Sequence, residues 1–120
     1  MKPVYVIHPY KGKKGEYEKN MTKINELCRE LSKGAPEIIP IAPVLAFSFL
    51  DDKDDDEREK AINYCSELLR IVGRAGGEAW YFGDWKNSKG CLHEIELAKK
   101  NGVPLKSGLH QGYGKGSEKG

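Results

Sequence analysis

Short β-branched runs alternate with helix-length amphipathic stretches along this chain, and that alternation restricts the fold more than any other feature. "VYVIHP", Val4 to Pro9, is apolar at nearly every position and is closed by proline, which predicts a strand covered on both faces. "EYEKNMTKINELCRELSKG" repeats Tyr17, Met21, Ile24, Leu27, Cys28 and Leu31 at helical spacing and meets Gly34 where a helix should stop. "EIIPIAP" predicts a second strand, and Pro40 and Pro43 argue for a sheet edge or an early exit into a loop. A second helix, "DDDEREKAINYCSELLRIVG", opens on acids and carries Ile62, Cys65, Leu68, Leu69 and Val72 as its stripe. "EAWYFG", a helix from Ser88 to Lys100 stopped by Gly102, and a short strand "VPL" complete the series.

The order β-α-β-α-β-α-β predicts an α/β domain over residues 1–106, with a mainly parallel sheet of four to five strands and helices on both faces. From Ser107 the chain is rich in glycine with little to bury, and residues 107–120 are expected to form a flexible tail. In open parallel sheets, ligands bind beyond the carboxyl ends of the strands. The expected site is therefore built from "HPYKG" after the first strand, "APVLAFSFLDD" after the second and "GDWKNSKG" after the third.

Charge and composition narrow the partners. A net charge of +2 gives no strong case for nucleic acid or a membrane surface. No apolar run approaches the roughly 20 residues that span a bilayer. Cys28, Cys65 and Cys91 are odd in number, far apart and lack a C-x-x-C pair, so neither a disulfide framework nor a zinc site is expected, and a reducing cytoplasm suits them. The acidic run Asp51 to Glu57 lacks the glycine and alternating ligands of a calcium loop and reads as a solvated helix start. No metal or cofactor is expected.

The third loop carries the most chemistry. Ser88 and Gly90, with Lys89 between them, stand at a helix N-terminus, where free amides and the helix dipole suit a phosphate or carboxylate; a plain N-cap is the simpler role for Ser88. Glu94 lies beside the buried stripe with no cation three or four residues away, whereas Glu96 has Lys99 and Lys100. Such a carboxylate suits a nucleophile or an acid/base group, or else merely edges the stripe. Tyr5 is enclosed in the first strand and needs a hydroxyl partner, which a carboxylate such as Glu94 could supply. His8, Pro9 and Tyr10 leave the same strand into the site, and His8 is either an acid/base group or structural. Trp85 is a better stacking platform than Trp80, which reads as core, and Asp84 either bonds a substrate or is solvated. His93, on the polar side of its helix, and His110 receive no role.

"GDWKNSKGCLHEIELAKKNGVPL" resembles the pattern G-x-W-x-x-S-x-G-x-x-x-E-x-x-x-A-x-x-x-G-x-P of domains similar to nucleoside 2-deoxyribosyltransferases, and "HPYKG" and "FLDDKDDDEREKAINYCSELL" are similar to bacterial and phage members. The resemblance runs from about Val4 to Leu105 and implies a flavodoxin-like (Rossmann-like) three-layer α/β/α fold. It implies cleavage of the N-glycosidic bond of a nucleoside or nucleotide, or deoxyribosyl transfer, with Glu94 as the nucleophile at C1′ and Tyr5 orienting it. Ser88 matches the place that meets a 5′-phosphate in nucleotide hydrolases. The group that assists base protonation matches Asp84, Ser66 or Glu67, and Leu92 stands where a second glycine is frequent. The resemblance also implies a homodimer or higher homo-oligomer. A non-catalytic nucleotide-binding or sensing domain on the same fold is the alternative expectation.

Overall fold

The computed structural model describes residues 1–11 and 15–115 of the 120. Four strands, β1 (Lys2–Ile7), β2 (Ile38–Ile41), β3 (Glu78–Tyr81) and β4 (Leu105–Ser107), form one sheet in the order β2-β1-β3-β4. All three pairings are parallel, with Tyr5 opposite Ile41 on one side and Ala79 on the other. The helices are α1 (Glu16–Gly34), the one-turn α2 (Pro43–Ala46), α3 (Asp55–Arg74) and α4 (Lys89–Lys100). This is a three-layer α/β/α arrangement of the flavodoxin-like kind, as the alternation predicts.

Alternation within β1 divides the core. Val4 and Val6 point to one face and pack with Ile24, Leu27 and Leu31 of α1 and with Trp80 and Phe82. Tyr5 and Ile7 point to the other, with Leu69 and Val72 of α3 and Cys91, Ile95 and Ala98 of α4. Each fully buried aliphatic side chain contributes about 1.5–3 kcal/mol of transfer free energy, so both faces are held by ordinary apolar burial. The edge predicted from Pro40 is real: β2 is an outer strand, and Pro43 begins α2, a helix position that needs no N–H. The acidic run also behaves as read, because Asp54 caps α3 by accepting from the amides of Asp56 at 2.9 Å and Glu57 at 3.2 Å.

Two boundaries differ from the sequence reading. The fourth strand lies at Leu105–Ser107 rather than Val103–Leu105, because Val103 is drawn into the α3/α4 core and Pro104 offers only its carbonyl, which accepts from Ala79 at 2.8 Å. The segment from Ser107 to Lys115 is a docked strap, not a free tail. Its Tyr113 stacks on Trp80 with ring centroids 6.2 Å apart at 22°, and the Gly114 amide donates to Glu30 at 3.3 Å. Glycine makes this approach possible: a Cβ on Gly108 would lie 1.9 Å from the Phe82 ring. Only α1 and the short α2 cover that face from the helical side, and the strap shields the part over β3 that they leave open. Residues 116–120 of the expected tail lie outside the described residues.

Candidate active site

The strand order reverses between β1 and β3: the chain steps from β1 outward to β2, then returns to the far side of β1. At such a switch point the loops leaving the two strands diverge and open a crevice at their carboxyl ends. A two-lobed cleft occupies that position. The larger, polar lobe has a volume of about 520 Å³ and is bordered by the loop after β1 (His8 to Lys11), the loop after β3 with Asp84 and Asn87, and the start of α4. The smaller lobe, about 150 Å³, is apolar along its wall of Pro43, Val44, Phe47 and Leu50; Asp52, Glu57, Cys65 and Glu94 also border it. Tyr10, Arg58, Ile62, Gly90 and His93 border both lobes and mark where they join.

Helix α4 positions most of this chemistry. Ser88 is its N-cap, accepting from the Cys91 amide at 3.2 Å, and both Ser88 and Lys89 border the polar lobe beside the first turn. Gly90 leaves a gap in that first turn, since a Cβ there would meet nothing nearer than the Ser88 hydroxyl at 3.9 Å. One turn later Glu94 points along the same side of the helix, because residues four apart stack one above the other. Its carboxylate accepts a hydrogen bond from the Tyr5 hydroxyl, which β1 delivers from the centre of the sheet.

The electrostatics follow from enclosure. Burial pushes the Glu94 carboxyl up to about 7, and the Tyr5 hydrogen bond opposes that rise by favouring the anion. Tyr5 is raised well above the ordinary phenol range by its own burial and by Glu94, so it remains a donor. Burial, then Asp52 and Glu94, raise Tyr10 to about 12, and burial with Glu94 raises the Cys65 thiol to about 11. Neither gives up its proton near neutrality.

The residues singled out in the sequence do not all converge. Tyr5 and Glu94 pair directly, and His8, Pro9, Tyr10, Asp84, Ser88 and Gly90 all border the cleft. His8 is 5% exposed, its Nδ1 donates to the Pro9 carbonyl at 2.7 Å, and its Nε2 has no partner among the described residues. Desolvation lowers its pKa, so His8 is a neutral imidazole wedged under Gly83. Asp84 faces the polar lobe with both carboxylate oxygens accepting from the Asn87 amide at 2.9 and 3.0 Å. Trp85 borders neither lobe; it packs edge-on against Tyr81 with centroids 4.8 Å apart, because its indole helps to cover the α3/α4 core. Ser66 and Glu67 also lie outside the lining of both lobes.

Arg58, Ile62 and His93 were not singled out as site residues. Ile62 reads as part of a buried stripe, yet it is 48% exposed at the junction of the lobes. The signal for His93 lay in Gly90, three residues before it, which leaves the neighbouring turn of the helix bare. Among the described residues, no group of His, Cys, Asp and Glu side chains is arranged to hold a metal, and no helix is long and apolar enough to cross a membrane.

A family model described as a domain of unknown function, DUF7768, matches residues 2–107. The chain belongs to that family. The matched span runs from the start of β1 to the end of β4 and includes every residue that borders the cleft; the strap after Ser107 falls outside it. No curated protein matches the chain.

Proposed function

We propose that this domain cleaves the N-glycosidic bond of a nucleotide or nucleoside, with Glu94 as the nucleophile and water or a second base as the acceptor. One observation carries the reading: the Tyr5-bonded carboxylate of Glu94 stands about one and a half turns from a capped N-terminus, in a lobe walled by Pro43, Val44 and Phe47 that joins, at Gly90 and His93, a lobe bordered by Ser88 and Lys89. A nucleotide has the same division, with a flat apolar base and an anionic 5′ end on either side of C1′. Departure of the base leaves C1′ cationic, and an enclosed carboxylate both stabilises that centre and captures it. Ser88, Gly90 and the α4 amides take the 5′ phosphate, and Lys89 adds charge. Pro43, Val44 and Phe47 take the base. The resemblance of the Gly83 to Leu105 segment to nucleoside 2-deoxyribosyltransferase-like domains also supports this reading.

The test is release of free base from a panel of deoxynucleotides and nucleosides, followed by chromatography. The reading requires release by the native protein and its loss, by at least a thousandfold, in Glu94→Ala. Full activity in that variant sinks the mechanism. A non-catalytic nucleotide sensor is the second reading, favoured by one fact: burial raises the Glu94 carboxyl to about 7, which disfavours the anion that a nucleophile needs. Thermal shifts with nucleotides but no base release would select it. A homo-oligomer belongs to the same proposal, since Phe49, Ile62 and Tyr64 leave apolar surface beside the apolar lobe.

A further inference from the structure

Base departure needs a proton donor as well as a nucleophile, because a purine or pyrimidine anion is a poor leaving group. The groups suggested by sequence are poorly placed for this. Asp84 borders only the polar lobe and holds the Asn87 amide with both oxygens, while Ser66 and Glu67 border neither lobe. The geometry points to His93 as the acid that protonates the leaving base, an assignment that rests on the glycosidase reading above.

His93 precedes Glu94 on α4, and the two side chains diverge by about 100° around the helix. Glu94 borders the apolar lobe, whereas His93 stands where the two lobes meet, over the gap left by Gly90. A substrate with its base in the smaller lobe and its phosphate at Ser88 has its glycosidic bond at that junction, beside His93 and with Glu94 on the side of the base lobe. The other titratable groups around the apolar lobe are Tyr10, Tyr17, Asp52, Glu57, Arg58, Cys65 and Glu94. Tyr10 and Cys65 hold their protons too tightly, as their burial shows, and Asp52 and Glu57 border the smaller lobe without reaching the junction, where the glycosidic bond lies. Imidazole can both give and take a proton at a ring nitrogen, and the two halves of the reaction need both. Arg58 and Tyr10 meet His93 at the junction, and Glu94 is its neighbour on the helix.

The step balances. As the C1′–N bond breaks, its electron pair goes to the base nitrogen, which receives the proton of the His93 imidazolium. A Glu94 oxygen forms the new bond to C1′. In the second half, water attacks C1′, neutral His93 takes its proton, and the Glu94 carboxylate leaves with the electrons of the ester bond. Both residues return to their starting forms.

A leaving group that needs no proton isolates this role. Methylation at N7 makes guanine cationic within the nucleotide, so it departs without an acid. Native protein, His93→Gln and Glu94→Gln are compared on 2′-deoxyguanosine 5′-monophosphate and its N7-methyl derivative, with spontaneous release subtracted and folding checked by circular dichroism. His93→Gln should lose about 10²–10⁴-fold in kcat/KM on the unmethylated nucleotide and less than about fivefold on the methylated one. Glu94→Gln should fail on both. Equal losses in His93→Gln on the two substrates, or no loss on the unmethylated one, overturn the assignment while leaving the glycosidase reading intact. Absence of base release by the native protein from these two nucleotides defeats the assignment, and its absence across the whole panel defeats the glycosidase reading as well.

Discussion

The hydroxyl of Tyr5, in the middle of β1, donates a hydrogen bond to the Glu94 carboxylate on α4, joining residues 89 positions apart. Burial of Glu94 favours its neutral form and this bond favours its anion, so the titration of one side chain is set by the competition between the two.

Removing the bond lets burial prevail. In Tyr5→Phe the Glu94 pKa should rise further above 7, and because the nucleophile must be ionised, the acidic limb of the rate profile should move to higher pH. A hydrogen bond to a charged group is worth about 1.5–3 kcal/mol, so the limb should move by about one pH unit or more. A pH–kcat/KM profile measures it; an unmoved limb with a uniformly lower rate would show that Tyr5 does not tune Glu94.

The same burial predicts a stability effect of definite sign. Glu94 has its folded pKa raised from 4.5 to about 7, so the folded state binds its proton more tightly than the unfolded chain does. Its contribution is fully present below about pH 4.5 and is lost as the pH rises through 7. Glu94→Gln, which removes the ionisation, should therefore stabilise the protein by about 3 kcal/mol at pH 8 and by little at pH 4. Denaturant melts at the two pH values test this, and an equal effect at both would refute it.

Ser88 combines two roles that substitutions can separate. Ser88→Ala removes the N-cap and should cost about 1 kcal/mol of stability as well as raising KM for nucleotides. Ser88→Asp keeps a capping oxygen but places a negative charge at the anion site. It should melt near the native temperature and raise KM for a 5′-monophosphate more than tenfold, with little change for the nucleoside.

Gly90 has room for a side chain, and that room is the cleft itself. Gly90→Leu should fold with an unchanged or slightly raised melting temperature, since leucine favours helix over glycine. Its KM for nucleotides should rise at least tenfold, read from initial rates beside a thermal melt.

The strap after β4 is tested by Gly108→Ala. The added methyl would overlap the Phe82 ring, and fitting it should cost about 1–3 kcal/mol. Truncation after Ser107 should also lower the melting temperature, because it uncovers Trp80 and Phe82.

Most of the scaffold was legible because it depends on periodic patterns. β1 shows apolar residues on both sides, the stripes of α1 and α3 carry the 3.6-residue period, and Ser88 and Asp54 sit where caps belong. Glu94 was legible by contrast with Glu96, since an acid without a cation on its own helix must find another partner, and Tyr5 is that partner. The remainder depends on long-range packing that no local pattern encodes. Trp85 covers Tyr81 instead of the cleft because the core beneath it was unfilled. Ile62 has the spacing of a core residue but stands beyond the end of the sheet. Tyr113 and the glycines of the strap form a packed segment only because Trp80 lies in reach.

The position of β1 between β2 and β3 sets an order of events during synthesis. The strand that carries Tyr5 leaves the ribosome first but gains its second neighbour only when Glu78–Tyr81 has been made, and its hydroxyl acquires a carboxylate only when Glu94 follows. A nascent chain that stops before α4 can pair β1 with β2 and β3 while Tyr5 remains without its acceptor. Tyr5 and Glu94, the bonded pair of the cleft, are thus among the last of its residues to meet, and the cleft is completed only after most of the domain has emerged.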